Sequence, residues 1–243
     1  TEGIFSQAGS NFNLSIDAGT GTVALGSLAG FGNGNGTGSL LQDASVTGAS
    51  IELFATSDSV AGNLSFNGPV SIVGPTPRSL TMSAGNINFQ STVDATSSDF
   101  SDLILNSQGT TSFSGSIGAT HQLGSLTTDA GGTTNINGGS VNTVGSQSFG
   151  DAVVLGSDAT LTSLNSDIVF SGTVDSDSTA RTLELSAGGN ISFNSAVGSL
   201  SKLASLTLAQ AFAVEAQATV AIDGTGRDLD GLLIESGVNN VTM

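Results

Sequence analysis

Few residues of this chain could do chemistry, and they are widely scattered. His121 is the only histidine, cysteine is absent, and four basic residues stand against twenty acidic ones. A serine–histidine–aspartate arrangement around His121 would need a nucleophile motif that the sequence lacks, so we interpret His121 as a loop residue. Ser199 and Lys202 match a Ser-x-x-Lys motif, but its companion motifs are missing and we attribute the match to chance.

The acidic residues form the most interesting candidate cluster. Asp94 and Asp175 occupy the same position after a phenylalanine, Phe89 and Phe170 respectively. Other charged residues recur near them, namely Asp99, Asp102, Asp177, Arg78 and Arg181. Clustered carboxylates bind calcium, and polysaccharide-degrading β-helices place a basic residue beside such a cluster. The repeats that carry Asp94 and Asp175 are not consecutive, so the sequence favours solvated turns with weak ion pairs. We therefore predict no enzyme activity and no catalytic, cofactor-binding or metal-binding residue.

A short repeat must position these side chains. A large apolar residue marks each copy, at Phe66, Phe89, Phe113, Ile136, Phe170 and Phe193. Before it come a Leu-x-Leu segment and a glycine, and apolar residues alternate on both sides, which indicates short strands. One such repeat cannot bury its own apolar face, so copies must stack. The sequence predicts an all-β parallel β-helix with coils of about 23 residues and an internal phenylalanine stack.

Two stretches depart from this repeat. The interval between Ile136 and Phe170 is longer than one coil, and it indicates either a coil with a long loop or a change of coil shape. Residues 205–220 contain alanine-rich helix formers, yet their apolar residues alternate, which favours another coil of short strands.

The domain organisation follows the repeat. Residues 1–50 are predicted to form irregular amino-terminal coils, with a plain glycine-rich loop at residues 31–38. Residues 51–243 are predicted to form regular coils that continue the first part as one elongated body.

Composition excludes several partners. The net charge of −16 argues against nucleic acid and against anionic membrane surfaces. No apolar run approaches the ~18 residues of a membrane span, and no signal peptide opens the sequence. The lack of cysteine removes disulfides and thiolate sites; it fits an exported bacterial protein and equally a fragment that merely lacks cysteines. Direct glycan adhesion is disfavoured because the chain has no tryptophan or tyrosine to serve as a sugar platform.

One stretch carries a family resemblance. The run GGSVNTVGSQSFGDAVVLGSDATLTSL at residues 138–164, with IVFSGTV at 168–174, resembles the degenerate repeats of filamentous-haemagglutinin-like and related bacterial surface exoproteins. The similarity covers roughly residues 50–225, judged by the repeat. The resemblance implies a right-handed β-helical shaft of a large secreted adhesin or filament, on the extracellular or outer surface of a bacterium.

Two functions of different classes remain open. The first is a structural shaft or filament segment acting in surface display, adhesion or extracellular assembly. Its expected partners are further coils of the same protein, other copies end to end, and cell-surface or matrix components. The second is a carbohydrate-active β-helix of the polysaccharide lyase or hydrolase type.

Overall fold

The fold is an all-β parallel solenoid. The computed structural model describes residues 13–26, 28, 41–74, 78–96, 101–216, 220, 232–238 and 241–242. Within this part of the chain, no helix has the length and apolar character needed to cross a membrane. The predicted glycine-rich loop at residues 31–38 lies outside the described residues.

Short strands make up nearly all of the regular structure. The first thirteen are β1 (Leu14–Asp17), β2 (Thr22–Leu25), β3 (Ala44–Thr47), β4 (Ser50–Leu53), β5 (Ser57–Ser59), β6 (Asn63–Asn67), β7 (Val70–Ile72), β8 (Arg78–Ala84), β9 (Asn86–Phe89), β10 (Val93–Ala95), β11 (Ser101–Ser107), β12 (Thr110–Phe113) and β13 (Leu126–Thr128). The others are β14 (Thr133–Ile136), β15 (Ser140–Thr143), β16 (Gln147–Phe149), β17 (Ala152–Leu155), β18 (Ala159–Ser163), β19 (Ile168–Phe170), β20 (Val174–Ser176), β21 (Thr182–Ala187), β22 (Ile191–Phe193), β23 (Ser205–Ala211), β24 (Val214–Ala216), β25 (Leu232–Val238) and β26 (Val241–Thr242).

These strands build three faces, which the chain visits in turn. Face 1 is an eight-stranded sheet in the order β1-β3-β6-β9-β12-β14-β17-β20. Face 2 contains the sheets β2-β4-β7-β10 and β15-β18-β21-β23-β25, joined through bridges from Ile117 to Val93 and Val141. Face 3 is a nine-stranded sheet from β5 to β26. Each strand pairs in parallel with the strand one coil away, so the predicted parallel β-helix is confirmed.

The core follows from the alternation of residues within each strand. In β11, for example, Leu103 and Leu105 are fully buried while Ile104 between them is partly exposed. Inward residues from all three faces form one continuous apolar cluster. The stretch that contained helix formers is β23 and β24, so the strand interpretation there is confirmed as far as Ala216.

The internal phenylalanine stack is confirmed, but it consists of two columns. Phe66, Phe89 and Phe113 stack on face 1, with ring centroids 5.3 and 5.4 Å apart. The second column lies on face 3 and contains Phe149, Phe170 and Phe193, with centroids 5.1 and 5.2 Å apart. The sequence analysis predicted a single column, and this part of the prediction is wrong. The phenylalanine of the repeat lies on face 1 in the first half of the solenoid and on face 3 in the second half.

The move occurs in the irregular interval between Ile136 and Phe170. Ile136 pairs with Leu155, and Phe149 pairs with Phe170, so both of these coils are shorter than the coil from Phe89 to Phe113. The interval is therefore a change to shorter coils, and the alternative of one coil with a long loop is wrong. Within it the chain passes through β15, β16, β17 and β18, and so Phe170 lies on face 3 instead of face 1.

The backbones of successive coils pack closely at the corners. Between faces 3 and 1, a side chain on Gly132 would collide with the carbonyl oxygen of Gly109 one coil below. Gly132 also has a φ of +82°, which glycine adopts without the strain that a Cβ atom would cause. This corner therefore requires glycine for both conformation and space.

Candidate functional site

Asp94 and Asp175 hold equivalent turns on different faces. Asp94 lies in β10 on face 2, and its Oδ1 accepts the backbone N–H groups of Thr120 and His121 at 2.8 and 3.2 Å. Asp175 lies in β20 on face 1, and its Oδ1 accepts those of Leu200 and Ser201 at 2.7 and 3.2 Å. Four strand spacings separate the two coils, or about 19 Å at ~4.8 Å per coil. The structure therefore does not bring the two carboxylates into one site.

Asp102 also holds neighbouring coils together. Asp102 accepts hydroxyl hydrogen bonds from Ser79 at 3.2 Å and Ser125 at 2.8 Å, one coil on either side. Asp99 lies outside the described residues, and for Arg78 only the backbone is described. No group of three or more histidine, cysteine, aspartate or glutamate side chains suited to a metal ion occurs among the described residues.

Asp177 and Arg181 form the expected ion pair. The guanidinium Nη2 and Nε of Arg181 donate to the two carboxylate oxygens of Asp177 at 2.8 and 3.1 Å. This hydrogen bonding lowers the pKa of Asp177 and raises that of Arg181. Both side chains are partly exposed, so solvent screens the pair.

His121, Ser199 and Lys202 lie in the two turns that the aspartates hold. All three are at least partly exposed, and they belong to two different turns, residues 118–122 and 198–202. The first residue of each turn is a glycine with positive φ, +63° at Gly118 and +69° at Gly198. The resemblance between the turns is structural, and nothing in their geometry joins His121 to Ser199 or Lys202.

A buried carboxyl group is one feature that the sequence argument missed. Asp151 lies at the corner between β16 and β17 and is only 3% exposed. Its carboxylate accepts the hydroxyl groups of Thr128, at 2.9 Å, and Thr134, at 2.8 Å. Burial raises the pKa of Asp151 above its ordinary value, and these two hydrogen bonds oppose the shift.

More buried polar residues surround the change of face. Gln147 is fully buried, and its Nε2 donates to the carbonyl oxygens of Val141, at 3.1 Å, and Thr162, at 2.9 Å. The coils in which one phenylalanine column ends and the other begins thus have a partly polar interior. Both residues could have been recognised in the sequence, because each is a polar residue at a position that the alternation assigns to the interior. Asp151 and Gln147 both lie inside the irregular interval.

A second feature that was not predicted from the sequence is an axial groove on the surface of the solenoid. We use this name for the cleft of about 450 Å³ at the corner between faces 3 and 1. Its lining comprises Ser59, Val60, Ala61, Ser83, Ala84, Asn106, Gln108 and Asp129. The pairing of β5, β8, β11 and β13 places Ser59, Ser83, Asn106 and Asp129 in one row along the axis. These four polar residues recur once per repeat, and that recurrence could have revealed the row.

Known proteins give no independent indication of function. Comparisons of the chain with protein-family models, curated proteins and solved structures find no match.

Proposed function

We propose that the chain is a structural segment, a shaft or filament portion of a large secreted bacterial surface protein. Its role in this proposal is to provide length and to display other parts of the protein, in adhesion or in extracellular assembly. Its partners are further coils of the same protein, other copies end to end, and components of the cell surface or matrix.

The observation that carries the proposal is the parallel pairing of successive coils along the three faces, which on face 2 continues through the bridges of Ile117. One apolar cluster runs through the coils, so each coil is stabilised by the coils beside it. Three of the carboxylates that looked chemically interesting in the sequence hold turns and neighbouring strands together. Asp94, Asp102 and Asp175 all accept hydrogen bonds from an adjacent coil. These roles are those of a repetitive scaffold.

The test is surface exposure on the bacterium that produces the protein. Antibodies raised against residues 41–216 should label intact cells, and protease added outside the cells should remove the label. Labelling that requires permeabilised cells would contradict the proposal. A cytoplasmic protein followed in the same samples reports whether the cells remained intact.

A second assay separates the scaffold from the enzyme alternative. The purified chain is incubated with a panel of acidic polysaccharides, and the release of reducing ends is measured. We expect none above the background of a heat-denatured sample. Release that disappears in the Asp175→Asn variant would identify a carbohydrate-active enzyme instead.

A further inference from the structure

We propose that the axial groove binds a neutral oligosaccharide, with the sugar chain lying along the axis of the coils. This binding site goes beyond the proposed scaffold function, because a shaft needs no ligand. The proposed binding site is tested by direct binding to the purified chain, and this test does not depend on where the protein is located.

The charges around the groove disfavour an anionic ligand. Its lining contains no lysine, arginine or histidine, and its single charged residue is Asp129 at one end. The whole chain carries a net charge of −16. Phosphorylated, sulfated or uronic acid ligands would therefore meet repulsion without a cation to balance it. A neutral sugar does not meet this barrier.

The polar groups of the groove suit a ligand with many hydroxyl groups. The side chains of Ser59 and Gln108 make no hydrogen bond to any described residue. Asn106 Nδ2 lies 3.5 Å from Ser83 Oγ, at the limit of a hydrogen bond. Asp129 accepts the N–H of Ser107 at 2.9 Å through Oδ1, and its Oδ2 has no partner in the described part. Hydroxyl, amide and carboxylate groups are thus available to donate and accept along one line.

The shape of the groove suits an extended chain. The row from Ser59 to Asp129 spans four coils, or about 14 Å at ~4.8 Å per coil. Ala61 is exposed and adds a small apolar surface against which the C–H groups of a sugar ring can pack, whereas Val60 and Ala84 beside it are almost fully buried. The volume of about 450 Å³ lies within the range typical of small-molecule sites.

The lack of tryptophan and tyrosine determines how such a ligand is held. No aromatic ring lines the groove, so the contacts are hydrogen bonds and small apolar surfaces instead of ring stacking. Binding of this kind is weak for a single sugar and increases with the number of sugars that follow the row. We therefore expect affinity to rise with chain length until the oligosaccharide fills the row of about 14 Å, and to level off for longer chains.

The experiment is a titration of the full chain, followed by calorimetry and by backbone amide chemical shifts. The probes are hexasaccharides of β-1,4-linked glucose, of β-1,4-linked N-acetylglucosamine and of α-1,4-linked glucose, with an oligogalacturonate as the charged probe. The test variant is Asn106→Ala with Gln108→Ala, and the exposed Gln108→Ala alone is a milder second variant.

The chain offers a matched control on the neighbouring face. Asn88 and Gln90 are the same residue types at the same spacing, and they are half-buried and exposed like Asn106 and Gln108. Asn88 lies in β9 on face 1, Gln90 directly follows that strand, and neither lines the groove. Asn88→Ala with Gln90→Ala therefore removes the same polar groups from a different surface.

The proposal expects saturable binding of at least one neutral hexasaccharide, with shifts centred on Ser83, Asn106 and Gln108. Asn106→Ala with Gln108→Ala should weaken the binding affinity by about tenfold or more, while the control Asn88→Ala with Gln90→Ala should change the affinity by less than about twofold. Three results would overturn the proposal: no saturable binding of any neutral probe, equal losses in both double variants, or oligogalacturonate binding as tightly as the neutral probes. Equal melting temperatures of the two double variants verify that both are folded.

Discussion

The hydroxyl oxygen of Thr134 lies 2.8 and 3.0 Å from the two carboxylate oxygens of Asp151. The carboxyl group is thus stabilised inside the coils by hydroxyl groups, and no cation is among the causes of its shifted pKa. Two hydroxyl hydrogen bonds offset only part of the cost of burying a negative charge. Ionisation of the Asp151 carboxyl group therefore lowers the stability of the folded state, and this loss can be measured.

The first prediction concerns pH. Because the pKa of Asp151 in the folded protein is raised above 3.8, the folded state binds this proton more tightly than the unfolded state. The contribution of Asp151 to stability is therefore fully present below pH 3.8, decreases as the pH rises through the folded pKa, and is absent above it. Asp151→Asn should increase the free energy of unfolding at pH 7 and remove this part of its pH dependence.

The control for this prediction is Asp102→Asn. Asp102 also accepts two hydroxyl groups, from Ser79 and Ser125, but it is partly exposed to solvent. The variant removes the same unit of charge without relieving a comparable burial. Urea unfolding between pH 3 and 7 measures both, and a lower stability of Asp151→Asn than of wild type at pH 7 would contradict the argument.

The second prediction concerns the first phenylalanine column. Phe89 is fully buried and has a stacked ring on each side, Phe66 and Phe113. Phe89→Ala should lower the free energy of unfolding by about 3–5 kcal/mol, because it removes buried apolar surface and leaves a cavity. Phe212 is 67% exposed, so Phe212→Ala should change stability by less than about 0.5 kcal/mol. Denaturant melts that give similar losses for both would rule out the stack as a source of stability.

The third prediction tests the coil as a removable unit. Phe89 pairs with Phe113, so deletion of residues 90–113 joins Phe89 to Ser114 and removes one coil without changing the alternation of inward and outward residues. We expect this variant to fold with a native-like β circular dichroism spectrum and to unfold cooperatively. Deletion of residues 90–101 instead brings β11, shortened by its first residue, directly after β9, without a strand for face 2, and should be much less stable. Equal melting temperatures for the two deletions would disprove the role of coil register.

The fourth prediction concerns the turns held by aspartate. Asp175→Ala should speed hydrogen exchange of the amides of Leu200 and Ser201, since their common acceptor is lost. Asp94→Ala should do the same at Thr120 and leave Leu200 unchanged, so each variant is the control for the other. The expected cost in stability is roughly 1 kcal/mol in each case. Exchange that is unchanged at both turns would show that the carboxylates do not hold them.

The sequence predicted the type of fold because alternation and a short repeat are local signals. It failed to assign the second column because nothing local distinguishes one face from another. Phe113 and Phe193 have nearly the same sequence surroundings, yet Phe113 lies on face 1 and Phe193 on face 3. The face depends on which strand of the previous coil is paired, and that depends on the total length of the chain between them. The shorter coils between Thr128 and Ser176 reduce the number of residues per turn, and so they change the face on which the later phenylalanines lie.

The candidate sites could be predicted less well, for a related reason. Asp94 and Asp175 were correctly grouped by their position after a phenylalanine, but only the structure reveals that each accepts amides from the next coil. The axial groove depends on side chains that lie one repeat apart in the sequence and on the small residues between them. No single repeat contains it, so a search for motifs within repeats could not detect it.

The direction of the interstrand hydrogen bonds has a mechanical consequence. On all three faces these bonds run between successive coils, so tension applied along the axis would pull on them lengthwise. Such a load should unfold the coils one at a time, beginning at one end of the solenoid. The coils differ in length, from the short one between Ile136 and Leu155 to the longer one between Phe89 and Phe113. Each would release roughly 60–85 Å of extended chain when it detaches. The molecule would then act as an extensible tether that lengthens in small steps of unequal size and dissipates energy at each one.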